Sequence, residues 1–224
     1  MPTSLLRVEN VSVRRGGRAL LDSVSFAAHA GEVLGVIGPN GAGKTTLFEI
    51  VAGFASPDEG KVASDTELFY LPEAVRPWAD RRVGWILDFF AELFGVEPDA
   101  EAIETLQLAP LLRQRAGSVS KGEGRRIALA LALPLPRRVL LLDEPFDGLD
   151  FRQTRRAMSL LRARAAAGRA FVLSIHQLSD AARVCDRFLL LDNGRAVAEG
   201  TLPELQERAG NGNATLEDVF LALE

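Results

Sequence analysis

Apolar and polar residues alternate through Leu5–Val13 and again through Val24–Ala28, with Gly16-Gly17 between the two stretches. A period of two on either side of a glycine pair predicts antiparallel strands joined by a turn. Gly31 then turns the chain into the apolar run Val33–Ile37, which reads as a strand. Beyond a glycine-rich stretch, Leu47, Ile50 and Val51 recur at helical spacing, and Gly53 stands where a left-handed helix cap belongs.

The period changes in the middle of the chain. From Val83 to Arg113 the apolar positions fall at helical spacing, and Pro98 divides two helices. Trp85, Phe89 and Leu93 follow one another at i, i+4, i+8, with Ile86, Phe90 and Phe94 one step round, and most of these are expected in the core. A third helix begins near Ser120 and ends by Pro134, after the run Ile127–Leu133. Strand and helix patterns then alternate. Val139–Leu142 is a continuous apolar strand, Asp150 caps a helix to about Ala167, Gly168 ends it, and Phe171–Ile175 is the next strand. That spacing predicts a parallel βαβ unit. Phe188–Leu191 and Arg195–Ala198 flank Asp192-Asn193-Gly194 as a hairpin, and Leu216–Leu223 reads as a short amphipathic helix.

With 224 residues and 47% hydrophobic content, the chain can bury a sizeable core and reads as one domain. Its net charge of −4 argues against broad binding to nucleic acid or anionic lipid. Cys185 is the only cysteine, so no internal disulfide can form, and a reducing cytoplasm is the simplest compartment. No run approaches the roughly 20 apolar residues of a membrane span. Met1–Asn10 lacks the charged-then-apolar order of a signal peptide, so a membrane role is expected to go through a partner.

The glycine-rich stretch carries the chemistry. Gly38-Pro39-Asn40-Gly41-Ala42-Gly43-Lys44-Thr45 fits GxxxxGK[ST], in which glycines let backbone N–H groups wrap phosphates and the lysine reaches their outer oxygens. Thr45 then suits magnesium. Asp143 and Glu144 follow an apolar strand and so fall at its carboxyl end, where open α/β sheets place their ligand crevices. Asp143 suits magnesium and Glu144 suits activation of water, although two acids after a strand can also be a turn or a cap. Ser120-Lys121-Gly122-Glu123 fits the S-x-x-E capping box. The same helix N-terminus also suits a terminal phosphate.

In these residues the chain resembles the ATP-binding cassette (ABC) transporter ATPases over essentially its whole length. Gly38–Thr45 is similar to Walker A, Leu140–Glu144 to Walker B, Val119–Glu123 to the signature, and Asp147-Gly148-Leu149-Asp150 to the D-loop; His176 after its strand looks like the switch histidine. The resemblance implies an α/β fold, a P-loop NTPase (RecA-like) mixed-sheet core at 1–72 and 135–210. It adds an N-terminal antiparallel β subdomain, an inserted α-helical subdomain at about 74–134 and a short C-terminal helix at about 214–224. It implies a dimer, with itself or with another such subunit, in which Walker A of one copy and the signature of the other enclose one ATP with Mg2+. Glu144, His176 and Lys44 would be catalytic. Gly38 to Thr46, Ser120, Lys121, Gly122, Glu123 and Asp150 would bind nucleotide, with Thr45, Asp143 and Glu73 at the metal.

Three positions depart from the family pattern. Lys121 replaces the first signature glycine, and Glu73 in Leu71-Pro72-Glu73 stands where a glutamine is usual. Arg15 occupies the place of the adenine-stacking aromatic, either as a stacking guanidinium or as a plain surface arginine. The segment Asp58–Leu71 is short for the strand-rich insert often found there. The resemblance also implies a membrane permease subunit, docking at Glu73–Trp78 and the start of the next helix, and a place on the inner face of the cell membrane. Leu216–Leu223 resembles the ending of stand-alone exporter subunits, and importer ATPases often carry a further C-terminal domain, so export is the expected direction. A soluble cassette ATPase for assembly or remodelling, as in iron–sulphur cluster assembly, is the alternative.

Overall fold

The computed structural model describes residues 3–73 and 78–223. Strand β1 (Ser4–Arg15) turns at Gly16 and Gly17, both left-handed (φ 58° and 81°), into β2 (Arg18–His29), and the two pair antiparallel. Two positive φ values in a two-residue turn match the twist of a hairpin, and glycine adopts them without steric cost. Strand β3 (Val33–Ile37) follows, then α1 (Lys44–Val51), β4 (Glu59–Ser64) and β5 (Leu68–Leu71). Helix α1 ends as its spacing predicts. Gly53 is left-handed, its N–H donating to Ile50 while that of Phe54 reaches back to Glu49.

Among the described residues three α-helices lie between β5 and the next strand: α2 (Val83–Phe94), α3 (Ala100–Thr105) and α4 (Lys121–Ala132). The chain continues through β6 (Val139–Asp143), α5 (Phe151–Ala166), β7 (Ala170–Ser174), α6 (Leu178–Val184), β8 (Arg187–Asp192), β9 (Arg195–Gly200), α7 (Leu202–Arg208) and α8 (Leu216–Leu223). β1, β2 and β4 form one antiparallel sheet. The second sheet runs β5-β6-β7-β3-β8-β9, parallel except for β9.

The central strands have both faces covered, which explains their unbroken apolar sequence. Leu34, Val36, Leu141 and Val172 pack under β1, β2 and α1, whereas Val33, Ile37, Leu140, Leu142, Phe171 and Leu173 pack against α4, α5, α6 and α8. Each such side chain contributes roughly 1.5–3 kcal/mol on burial. The result is three layers, in which β3 is clamped between β7 and β8 with its carboxyl end beside those of β6 and β7.

Two expectations change. Of the apolar positions on α2, Ile86 is buried, Phe89, Phe90 and Phe94 are half-buried, and Trp85 and Leu93 are exposed. Helix α2 packs on α4 along one side, so the Trp85 line faces outward. There Trp85 stacks on Phe89 with centroids 5.0 Å apart, and Trp78 packs edge-on to both. Strand β4 falls in Asp58–Leu71, expected to be short for a strand-rich insert, and it pairs with β1 although its side chains are mostly exposed and carry no alternation. Residues 74–77 of the expected docking segment lie outside the described residues. Among the described residues no helix is long and apolar enough to cross a membrane.

Candidate functional site

The glycine-rich loop leaves β3 in a passage that admits no side chain at its first residue. A Cβ on Gly38 would lie 2.1 Å from the Leu191 carbonyl oxygen. Gly41 and Gly43 are left-handed (φ 84° and 104°), and a Cβ on Gly43 would also meet the Leu20 carbonyl at 2.8 Å. The loop is pinned from outside as well: the Gly194 N–H donates to Ala42 O at 3.0 Å, and the Asp22 N–H donates to Gly194 O at 2.8 Å. Gly43 is the N-cap of α1 and has no side chain to accept its first-turn N–H groups. Such donors are suited to an anion. The Lys44 ammonium lies along the loop, donating to Gly38 O at 2.6 Å and Pro39 O at 3.1 Å. Burial pulls its pKa down, while Glu144 and Asp143 act the other way.

A cleft of about 480 Å³ opens over the loop, lined by Asn40, Gly41, Gly43, Lys44, Thr45 and Thr46 from the loop and α1, and by Glu73, Asp143, Glu144, Asp147 and His176. The acids and the histidine come from just beyond the carboxyl ends of β5, β6 and β7, the edge at which parallel sheets gather ligands. Asp143, 3% exposed, accepts hydrogen bonds from the Thr45 hydroxyl and the Tyr70 hydroxyl, each at 3.3 Å, and from the Ser174 hydroxyl. A buried carboxylate is tolerable only with such donors. Burial, with Asp143 second, pushes the Tyr70 phenol well above its ordinary range, so it stays a donor.

Glu144 holds a left-handed backbone (φ 49°), a conformation that costs a non-glycine residue about 1–2 kcal/mol. Its N–H is fixed by Ser174, donating to Oγ at 2.9 Å and to the carbonyl at 3.2 Å. That turn carries the Glu144 carboxylate into the cleft. Burial raises its pKa, and His176 and Lys44 temper the rise. A carboxylate raised toward neutrality is better matched to general-base work.

Thr45 Oγ1 and the Asp143 carboxylate form a pair of hard oxygen donors. Among the described residues no three His, Cys, Asp or Glu side chains gather as a dedicated metal cage. A site with few protein oxygens beside phosphates fits magnesium, which keeps water and phosphate ligands. Glu73 lines the same cleft.

Ser120, Lys121, Gly122 and Glu123 lie apart from this cleft. Ser120 and Glu123 close the capping box of α4: the Glu123 N–H donates to Ser120 Oγ at 3.3 Å, and the Ser120 N–H to Glu123 Oε2 at 2.7 Å. Hydrogen bonds from Ser120 hold the Glu123 carboxyl below its usual pKa. A Cβ on Gly122 would lie 2.1 Å from Gly148 O, and Lys121 pairs with Asp147. Asp150 N-caps α5, its Oδ1 accepting from the N–H groups of Arg152 at 2.8 Å and Gln153 at 2.9 Å. Arg15 lies outside the cleft lining, donating to Arg14 O at 2.9 Å and lying 3.7 Å from Asp58; Arg18 and Leu20 line the cleft there instead.

Arg125, which the sequence reading passed over, is 5% exposed and donates to Pro72 O at 3.2 Å and Glu73 O at 2.6 Å. It ties α4 to the segment that carries Glu73. With Glu73, Ser120 and Lys121 it lines a second, more apolar cleft of about 350 Å³ that reaches Ile86 on α2.

Residues 21–147 match the family model described as ABC transporter. The chain is 33% identical over 221 residues to the Nod factor export ATP-binding protein I of Burkholderia lata, covering 89% of this chain and 72% of that protein. It is 35% identical over 225 residues to the hemin import ATP-binding protein of Pseudomonas aeruginosa, covering 90% and 88% respectively. Among solved structures, an ATP-binding subunit of an ABC transporter superposes with a TM-score of 0.89 at 27% identity, covering 98% of this chain and 99% of that one.

Proposed function

The chain belongs to the ABC transporter family as an ATP-binding, ATP-hydrolysing subunit, and from that premise we propose that two such subunits close on two ATP molecules and drive export through a separate membrane subunit. The observation that carries this reading is the division of phosphate-binding elements between two surfaces. The loop 38–45 and the acids share one cleft, and Ser120–Glu123 stand outside it. A second copy would bring its own Ser120–Glu123 over the first copy's loop.

In the closed site the loop N–H groups and Lys44 hold the phosphates, and Thr45 and Asp143 would hold magnesium. When bound, magnesium neutralises charge that builds on the phosphate oxygens. Glu144 takes the proton of the attacking water as the water oxygen bonds to the γ-phosphorus and the bond to ADP breaks. His176, which lines the cleft, contacts the γ-phosphate, and Glu73 would meet the metal through water. Asp150 sits at the subunit boundary beside Gly148 and Gly122 and links the two sites.

Export is supported by α8, whose sequence resembles a helical segment of exporter subunits. For the membrane partner, the exposed Trp78 and Trp85 and the half-buried Phe89, near the 350 Å³ cleft, offer an apolar seat for a short helix. The direct test is co-purification from native membranes. A membrane protein recovered in fixed stoichiometry with the chain is the expected result, and recovery with soluble partners alone contradicts transport.

A further inference from the structure

The end of the cleft away from Glu144 and His176 is where the nucleoside of a bound triphosphate must lie, because the γ-phosphate points toward the acids and the loop wraps the phosphates between. Arg18 and Leu20 line the cleft from the start of β2, which is held to the Gly194 turn between β8 and β9, on the other side of β3 from β6 and β7. The Leu20 carbonyl sits 2.8 Å from the Cβ position of Gly43, so this strand is fixed against the loop. No Phe, Tyr or Trp ring lines the cleft among the described residues. Arg15 is engaged by Arg14 and Asp58, whereas Arg18 makes no ion pair or side-chain hydrogen bond among the described residues.

We propose that Arg18 reads the base, and that the chain accepts guanosine triphosphate at least as well as ATP. A guanidinium has five N–H donors in a planar fork and no acceptor. Guanine presents two acceptors side by side, O6 and N7, which an arginine can bridge with two hydrogen bonds. Adenine presents N7 beside its N6 amino donor, so the same fork meets one acceptor and one repelling donor. An aromatic platform would hold either base by its face; here Leu20 offers only apolar contact and edge recognition falls to Arg18. The proposal rests on the triphosphate site described above and adds its base preference.

Calorimetric titration of the chain with ATP and with GTP, in magnesium-free buffer to hold off hydrolysis, tests it. The expected result is a Kd for GTP equal to that for ATP or up to about tenfold lower. Arg18→Ala is expected to move the ratio of the two Kd values about threefold to tenfold toward ATP. Arg18→Lys, whose ammonium can still donate to O6 and N7, should move it less than Arg18→Ala. ATP binding tenfold or more tighter than GTP overturns the proposal, as does a ratio that Arg18→Ala leaves unchanged. Binding of neither triphosphate overturns the triphosphate site itself along with this preference.

Discussion

The Arg125 guanidinium donates to the Glu73 carbonyl oxygen at 2.6 Å, joining the helix that begins at Ser120 to the acid that faces both clefts. Its charge is buried among Asp147, Glu73, Asp143 and Glu144, all of which favour the charged form against the cost of desolvation. The bond therefore links the phosphate cleft, the second cleft and the N-terminal end of α4 in one framework.

Arg125→Met removes both hydrogen bonds and leaves the Pro72 and Glu73 carbonyls without this partner. The variant is expected to lose about 2–4 kcal/mol of unfolding free energy in urea. Steady-state ATP hydrolysis should show kcat falling further than KM rises, since Arg125 places Glu73 without lining the phosphate loop.

Burial raises the Glu144 pKa above the ordinary 4.5. A base must be deprotonated, so the ATPase rate should fall as pH drops through that raised value, and the acid limb of the profile should lie above pH 4.5. Stability carries the opposite sign. The folded state penalises the Glu144 charge, fully above the folded pKa and not at all below the unfolded one. Glu144→Gln is thus expected to stabilise the chain at neutral pH in denaturant melts, and the gain should vanish below about pH 4.5.

Gly122→Ala places a methyl group against Gly148 O, 2.1 Å away in the present structure, so the start of α4 and the 147–150 turn must separate. Neither segment contributes the Gly41–Thr46 part of the cleft. The variant is expected to bind ATP in titrations and yet to lose hydrolysis and ATP-dependent association. Loss of ATP binding in a folded variant would place Gly122 in the same site as the loop.

Periodic segments were legible in the sequence. The strand at Val33–Ile37, the cap at Gly53, the ends of α4 and the βαβ unit from Val139 all follow from residue pattern, because burial on one or both faces writes itself into that pattern. Strand β4 was not legible, since its side chains stay exposed and only its backbone joins β1. Arg125 was hidden for a related reason. In Lys121–Arg126 it reads as one charge on a polar helix start, and only the carbonyls at Pro72 and Glu73, some fifty residues away, bury it. Ser174 and Tyr70 gave no motif, although their hydroxyls hold Asp143. The hairpin after β1 decides that Arg18, and not Arg15, faces the cleft, a choice that spacing alone does not make.

The claim that a complete ATP site is shared between two copies is tested most directly by sizing Glu144→Gln with ATP by light scattering. Removing a general base typically slows chemistry about 10²–10⁴-fold, so ATP should persist in the closed site. The account expects a dimer at twice the monomer mass with ATP, including magnesium-free ATP, and a monomer without it. A variant that stays monomeric with ATP, or that hydrolyses ATP at the unaltered rate, contradicts it.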